Sequence, residues 1–260
     1  MQRFMGENVI CDNGMPGYLA LPPSTQPVPA VIVLHERYGF VQHPRDVADR
    51  FAASGLAGFA VNAFFKCDYQ AGLADGSKRY YTTDPDLVDY MESALRLLGE
   101  TGRVDMDRVV LLGMCQTGRH PLVMAARSHK IAAAICWYGA ATNREFDTGP
   151  YFPEPIPVVL RQVTCPVLGL FAEHDNHIPV ENVRRIRNAL ESAGKTFAIH
   201  VLDDCLHGFL NSTMEKRYHP KQAEVAWQLQ SEFLGQVFSG AFKNGVAVQC
   251  YQAKFRQAQI

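Results

Sequence analysis

The segment that most limits how this chain can fold runs from Arg108 to Gly118: Val109, Val110, Leu111 and Leu112 in an unbroken apolar stretch, then Gly113-Met114-Cys115-Gln116-Thr117-Gly118. A continuous apolar run reads as a strand covered on both faces, because a half-exposed strand would alternate. The Gly-x-Cys-x-x-Gly that closes it reads as a sharp strand-to-helix turn, in which small residues flank a side chain held out above the sheet. Such a turn makes Cys115 a candidate nucleophile. The usual pattern has its second glycine two residues after the nucleophile, where this chain has Thr117 and delays the glycine to Gly118. Taken alone, the turn also fits a buried structural cysteine at a strand end.

Two later segments supply partners. Val167 to Phe171 is another apolar strand, and Asp175 falls just beyond its C-terminal end, ahead of Ile178-Pro179 and a helical stretch from about Val180 to Ser192. Phe197 to Leu202 reads as a strand whose following loop, Asp203 to Phe209, carries His207. Singly, Asp175 fits a helix cap or turn and His207 a satisfied loop histidine. Together the chain order nucleophile, acid, histidine, each after its own strand, is the order α/β-hydrolases use.

The rest of the chain provides a matching scaffold. Strand-like segments lie at Gly17–Leu21, Ala30–Leu34, Ala57–Asn62, Val109–Leu112, Ile131–Trp137, Val167–Phe171 and Phe197–Leu202. Helical patterns fall between them at Pro44–Ala53, Asp86–Leu98, Arg119–Ala126, Glu181–Ser192 and Lys221–Phe238. This alternation predicts a mostly parallel, doubly wound sheet with helices on both faces, whose sites lie at the strands' C-terminal ends. Pro121, early in the helix after the cysteine turn, is expected in its first turn or two. No Pro/Gly/Ser-rich linker divides the 260 residues, so a single α/β domain is expected over 1–260.

Charge and cysteine usage exclude several classes of partner. A net charge of −1 with a pI near 6.7 argues against nucleic acid. No segment approaches the ~20 apolar residues a membrane span needs, and Met1 to Glu7 lacks the apolar core of a signal peptide. Seven cysteines, an odd number without short paired spacing, suit a reducing cytoplasm. His174 and His177 are three apart and His35, His43 and His120 are scattered, with no Cys-x-x-Cys or His-Glu-x-x-His spacing, so neither metal nor cofactor is expected. Cys205, two residues before His207, reads as loop packing.

Along roughly residues 15–237 the chain resembles the dienelactone hydrolase family, the cysteine branch of the α/β-hydrolases, leaving 242–260 as a C-terminal extension. Cysteine in place of serine at the turn is one mark. The other is Val31-Ile32-Val33-Leu34-His35-Glu36-Arg37-Tyr38-Gly39, since the family carries a glutamate here, followed by a bulky residue and glycine. The resemblance implies that Glu36 accepts a hydrogen bond from the resting thiol and yields to the histidine pair when substrate binds. Chemically, His207 would hold Cys115 as a thiolate, and Asp175 would fix the tautomer of His207 and stabilise its imidazolium. The backbone N–H groups of Gln116 and Arg37 are candidates for an oxyanion hole, each donor lowering the barrier by about 3 kcal/mol. A carboxylate near sulfur would also keep the resting thiol quieter.

The same resemblance implies a small anionic lactone or ester as substrate. Family members hydrolyse dienelactone, an unsaturated five-membered lactone bearing a carboxylate and formed in aromatic breakdown, and clamp that carboxylate with arginines. One family arginine lies four residues beyond the histidine, where this chain has Asn211. The other lies after the third strand, where Arg79 is the candidate, although Lys78 and Arg79 also read as a solvated charge pair. Arg37 and Arg119 add cations near the expected mouth, and Tyr38, Trp137 and Tyr138 are candidates to line the pocket, Trp137 also fitting the core. An acyltransferase or amide hydrolase with the same triad, and a non-catalytic binding protein of the same fold, are the alternatives.

Overall fold

The computed structural model describes residues 6–243 and 245–253. Its centre is one nine-stranded sheet in the order β1-β2-β4-β3-β5-β6-β7-β8-β9. The strands are β1 (Glu7–Ile10), β2 (Pro16–Ala20), β3 (Val28–Leu34), β4 (Ala57–Val61), β5 (Val104–Met114), β6 (Ala133–Trp137), β7 (Val167–Ala172), β8 (Phe197–Leu202) and β9 (Gln249–Ala253). From β4 to β9 every neighbouring pair is parallel, and only β2 runs against its neighbours. This is the α/β fold expected from the alternation of elements.

Strand β5 explains how the sheet is covered. Val109 and Leu111 point into one hydrophobic cluster while Val110, Leu112 and Met114 point into the other. The first cluster takes Leu87 and Met91 from α3 (Asp84–Glu100), Leu122 from α4 (His120–Arg127), Val159 from α5 (Ile156–Gln162) and Ile186 from α6 (Val180–Ser192). The second takes Val47 and Phe51 from α1 (Gln42–Ala53) and Phe233 from α7 (Pro220–Phe238). A strand buried on both faces has no polar side, hence the continuous apolar run.

Several element boundaries differ from the sequence expectation. Strand β5 reaches back to Val104, and β6 begins at Ala133 rather than Ile131. Helix α3 begins at Asp84 because the Thr83 hydroxyl accepts the Asp86 N–H, an N-cap that satisfies one of the first-turn donors. Pro121 falls in the first turn of α4, where its missing N–H costs nothing. The edge strands β1 and β9 carry exposed residues and no apolar run, so periodicity does not reveal them. The C-terminal extension thus contributes a strand, β9, parallel to β8. Among the described residues no helix is long and apolar enough to cross a membrane.

Candidate active site

Cys115 stands at the C-terminal end of β5 with φ of 54°, a left-handed conformation that non-glycine residues rarely adopt. Small neighbours make that turn possible. A Cβ on Gly113 would lie 2.3 Å from the Thr117 carbonyl oxygen, and one on Gly139 would lie 2.4 Å from that of Cys115. The delayed glycine has its own reason: a Cβ on Gly118 would come within 2.7 Å of the Gly139 Cα, so the helix entrance packs backbone to backbone on the end of β6. Thr117, where the usual pattern has glycine, ties the turn down. Its hydroxyl donates to the His35 carbonyl at 2.8 Å and accepts from the Met114 N–H at 3.1 Å.

Loops after β7 and β8 complete a chain of contacts that starts at the sulfur. His207, after β8, places Nε2 3.0 Å from the Cys115 Sγ and Nδ1 2.7 Å from Asp175 Oδ2. Asp175, after β7, is buried and uses Oδ1 to accept the backbone N–H groups of His177 and Ile178 at 2.8 and 2.9 Å. Those bonds fix the carboxylate, so it holds the imidazole in one orientation. Burial alone would lower the pKa of His207, but the Cys115 sulfur and Asp175 outweigh it and push it up to about 10. The arrangement therefore favours a protonated imidazole between the sulfur and the carboxylate.

Glu36 follows β3, is buried, and lines the same cavity. Its Oε2 accepts the side-chain amide of Asn211 at 2.7 Å, while the sulfur is paired with His207. The expected thiol–Glu36 hydrogen bond is thus replaced in this structure by the histidine pairing. The phenol of Tyr138 faces this group, and burial followed by the Glu36 charge drives its pKa well above the ordinary value. Tyr138 also meets the His207 ring edge to face, with centroids 5.2 Å apart.

The cavity above the sulfur encloses about 280 Å³. Glu36, Arg37, Tyr38, Arg79, Cys115, Gln116, Tyr138 and His207, all singled out in the sequence, line it. Two other residues singled out there, Arg119 and Asn211, do not. Arg119 is fully buried beneath the site, with Nε 3.0 Å from Asp84 Oδ1 and Nη2 2.8 Å from Asp84 Oδ2, and with Nη2 donating also to the Glu154 carbonyl. Being on the helix after the nucleophile puts a residue near the site in sequence, but here the helix turns the guanidinium into the core. Asn211 is likewise buried, and its amide donates to the Glu36 carboxylate. Trp137 belongs to the core, where its indole N–H donates to Gln230 Oε1 at 2.9 Å. Cys205 is loop packing, as expected: it is buried with its thiol directed at the Leu202 carbonyl.

Sequence reasoning missed Arg144, His177 and Arg217, all of which line the cavity. His177 meets the His207 ring edge to face at 5.0 Å, and burial followed by the His207 charge lowers its pKa. Its position two residues after Asp175 was the available signal; Arg144 and Arg217 lie in loops without a motif. Three metal-ligating donors come within 4.8 Å of one another at Glu173, His174 and Asp204 among the described residues, none of them lining the cavity.

Comparison with known proteins adds the family. The model of the dienelactone hydrolase family matches residues 15–238. The Escherichia coli strain K12 protein named "Putative carboxymethylenebutenolidase" is 30% identical over 237 residues, covering 86% of this chain and 83% of its own. A Yersinia pestis protein of the same name is 30% identical over 241 residues, covering 89% of this chain and 88% of its own. The crystal structure described as "Putative Dienelactone Hydrolase" from Klebsiella pneumoniae superposes with a TM-score of 0.80 at 26% identity, over 90% of this chain and 99% of that one.

Proposed function

The chain belongs to the dienelactone hydrolase family of lactone and ester hydrolases, and we propose that it cleaves a small anionic lactone or carboxylic ester through a Cys115–His207–Asp175 triad and an acyl-enzyme. The observation that carries this reading is the unbroken relay from Cys115 Sγ to His207 Nε2 at 3.0 Å and from His207 Nδ1 to Asp175 Oδ2 at 2.7 Å.

In the first half-reaction the Cys115 thiolate adds to the substrate carbonyl carbon, and the carbonyl oxygen takes up the negative charge. The backbone N–H groups of Gln116 and Arg37 face that oxygen; Gln116 lies in the first turn after the nucleophile, where donors have no intrahelical acceptor. Collapse of the tetrahedral adduct breaks the C–O bond, and His207 gives its Nε2 proton to the leaving oxygen. In a lactone the alcohol so formed stays attached to the acyl group. His207, now neutral, takes a proton from water, whose oxygen attacks the thioester and releases the acid, restoring the thiolate–imidazolium pair. Asp175 orients the ring throughout and receives no proton.

Glu36 and Asn211 act on the resting enzyme: the buried carboxylate, lining the same cavity as the sulfur, disfavours a free thiolate until substrate fills it. The cationic lining, with Arg79, Arg144 and Arg217, favours a substrate bearing negative charge. We place the reaction in the breakdown of aromatic compounds in a reducing cytoplasm, consistent with seven free thiols, and take the chain to work as one catalytic unit. Replacing His207 with Ala tests the mechanism: turnover of an activated ester should fall by about 10³-fold or more, with the thioester no longer trapped by mass spectrometry after acid quench. Near-normal turnover would remove the triad.

A further inference from the structure

The cavity holds more uncompensated positive charge than one carboxylate needs. Arg37, Arg79, Arg144 and Arg217 all line it, and among the described residues none of the four is ion-paired to a carboxylate. Arg119, buried and outside the lining, is the contrast, since its guanidinium is paired with Asp84. The two cavity glutamates are already engaged: Glu36 accepts the Asn211 amide, and Glu145, whose pKa burial raises, accepts the N–H and hydroxyl of Thr142 at 2.8 and 2.9 Å. Even with both ionised, two positive charges remain.

The four guanidiniums form two separately anchored pairs. Arg144 donates to the Tyr81 hydroxyl at 3.0 Å, and the Arg144 and Arg79 charges together outweigh burial and lower the Tyr81 pKa, while Tyr81 is itself stacked on Tyr151 with ring centroids 4.9 Å apart. Arg217 reaches the Tyr38 hydroxyl at 3.4 Å, and Arg37 lies over the Tyr38 ring, donates to the Gly76 carbonyl and leaves a buried Nε without an acceptor. An arginine held by a phenol is positioned yet keeps its charge, so little ordering remains to oppose binding of a carboxylate.

We propose that the cavity takes a dianionic substrate, a lactone or ester carrying two carboxylates, one seated on Arg79 and Arg144 and the other on Arg37 and Arg217. The hydrolase reading supplies only the reacting group; the two anion subsites stand on the arginine pairs.

The experiment measures binding of valerate, glutarate and inorganic phosphate to the whole protein by calorimetry, and their inhibition of p-nitrophenyl acetate hydrolysis. Glutarate should bind about tenfold or more tighter than valerate, with the gap shrinking as salt rises from about 50 to about 500 mM. Arg144→Gln and Arg217→Gln should each bring glutarate to within about threefold of valerate. Tyr81→Phe, which keeps all four charges and frees one pair, should weaken glutarate in part. Equal binding of valerate and glutarate would overturn the proposal. So would phosphate binding tightest, which would indicate one polyanionic group, or either arginine substitution leaving the glutarate preference intact. If the ester is not hydrolysed at all, the hydrolase reading fails while calorimetry still decides the subsites.

Discussion

Asn211 donates its side-chain amide to the carboxylate of Glu36 across 2.7 Å, with both residues buried. That contact joins the loop after β3 to the loop after β8 and changes the sense of a departure visible in the sequence. An arginine at this position could reach into a cavity; the shorter amide serves the glutamate instead. The arginines that line the cavity lie elsewhere, among them Arg217, ten residues beyond His207.

Replacing Glu36 with Gln tests what that carboxylate does. The amide oxygen can still accept from Asn211, so the packing should persist while the negative charge beside the sulfur is lost. Alkylation of the free enzyme by iodoacetamide should then be faster and set in at lower pH, because the thiolate is no longer opposed by a neighbouring anion. An unchanged alkylation pH profile would remove the quieting role of Glu36.

Arg119→Met should destabilise the fold. Removing one partner of a buried ion pair leaves Asp84 uncompensated, at a cost of about 3–5 kcal/mol. Chemical denaturation would measure this, and the double change Arg119→Met with Asp84→Leu should recover much of the loss. A single variant as stable as the parent would show that the pair is dispensable.

Acid sensitivity follows from two buried imidazoles. Burial holds His35 at a pKa of about 4 and His120 at about 3, against an ordinary value of 6.5. Between those values the unfolded chain binds protons that the folded one refuses, so the stability these groups contribute is full above about pH 6.5 and is lost as pH falls toward 4 and below. Thermal unfolding from pH 7.5 down to 4.5 should show a falling midpoint, less steep in His120→Gln. A midpoint flat across this range would contradict the buried neutral state.

Much of this molecule was legible in the sequence because its signals are local. The apolar run into Cys115 marks both a doubly buried strand and the turn at its end, and the order of Asp175 and His207 follows from where strands stop. What was missed depends on long-range placement. Strands β1 and β9 pair at sheet edges, where exposure erases the periodic signal. Arg119 and Arg144 are both arginines near the site in sequence, yet one is turned into the core against Asp84 and the other outward against Tyr81. No pattern in the chain separates them, since the choice is made by the packing of α3 and of the segment before α5.

The proposed chemistry depends on Cys115 acting as the nucleophile of a lactone or ester hydrolase. Its most direct test is turnover of cis- and trans-dienelactone, other small lactones and p-nitrophenyl acetate by reduced protein, measured beside Cys115→Ala. The account predicts hydrolysis of at least one anionic lactone by the parent protein and its loss in the variant. Hydrolysis that survives the loss of the Cys115 sulfur would contradict it.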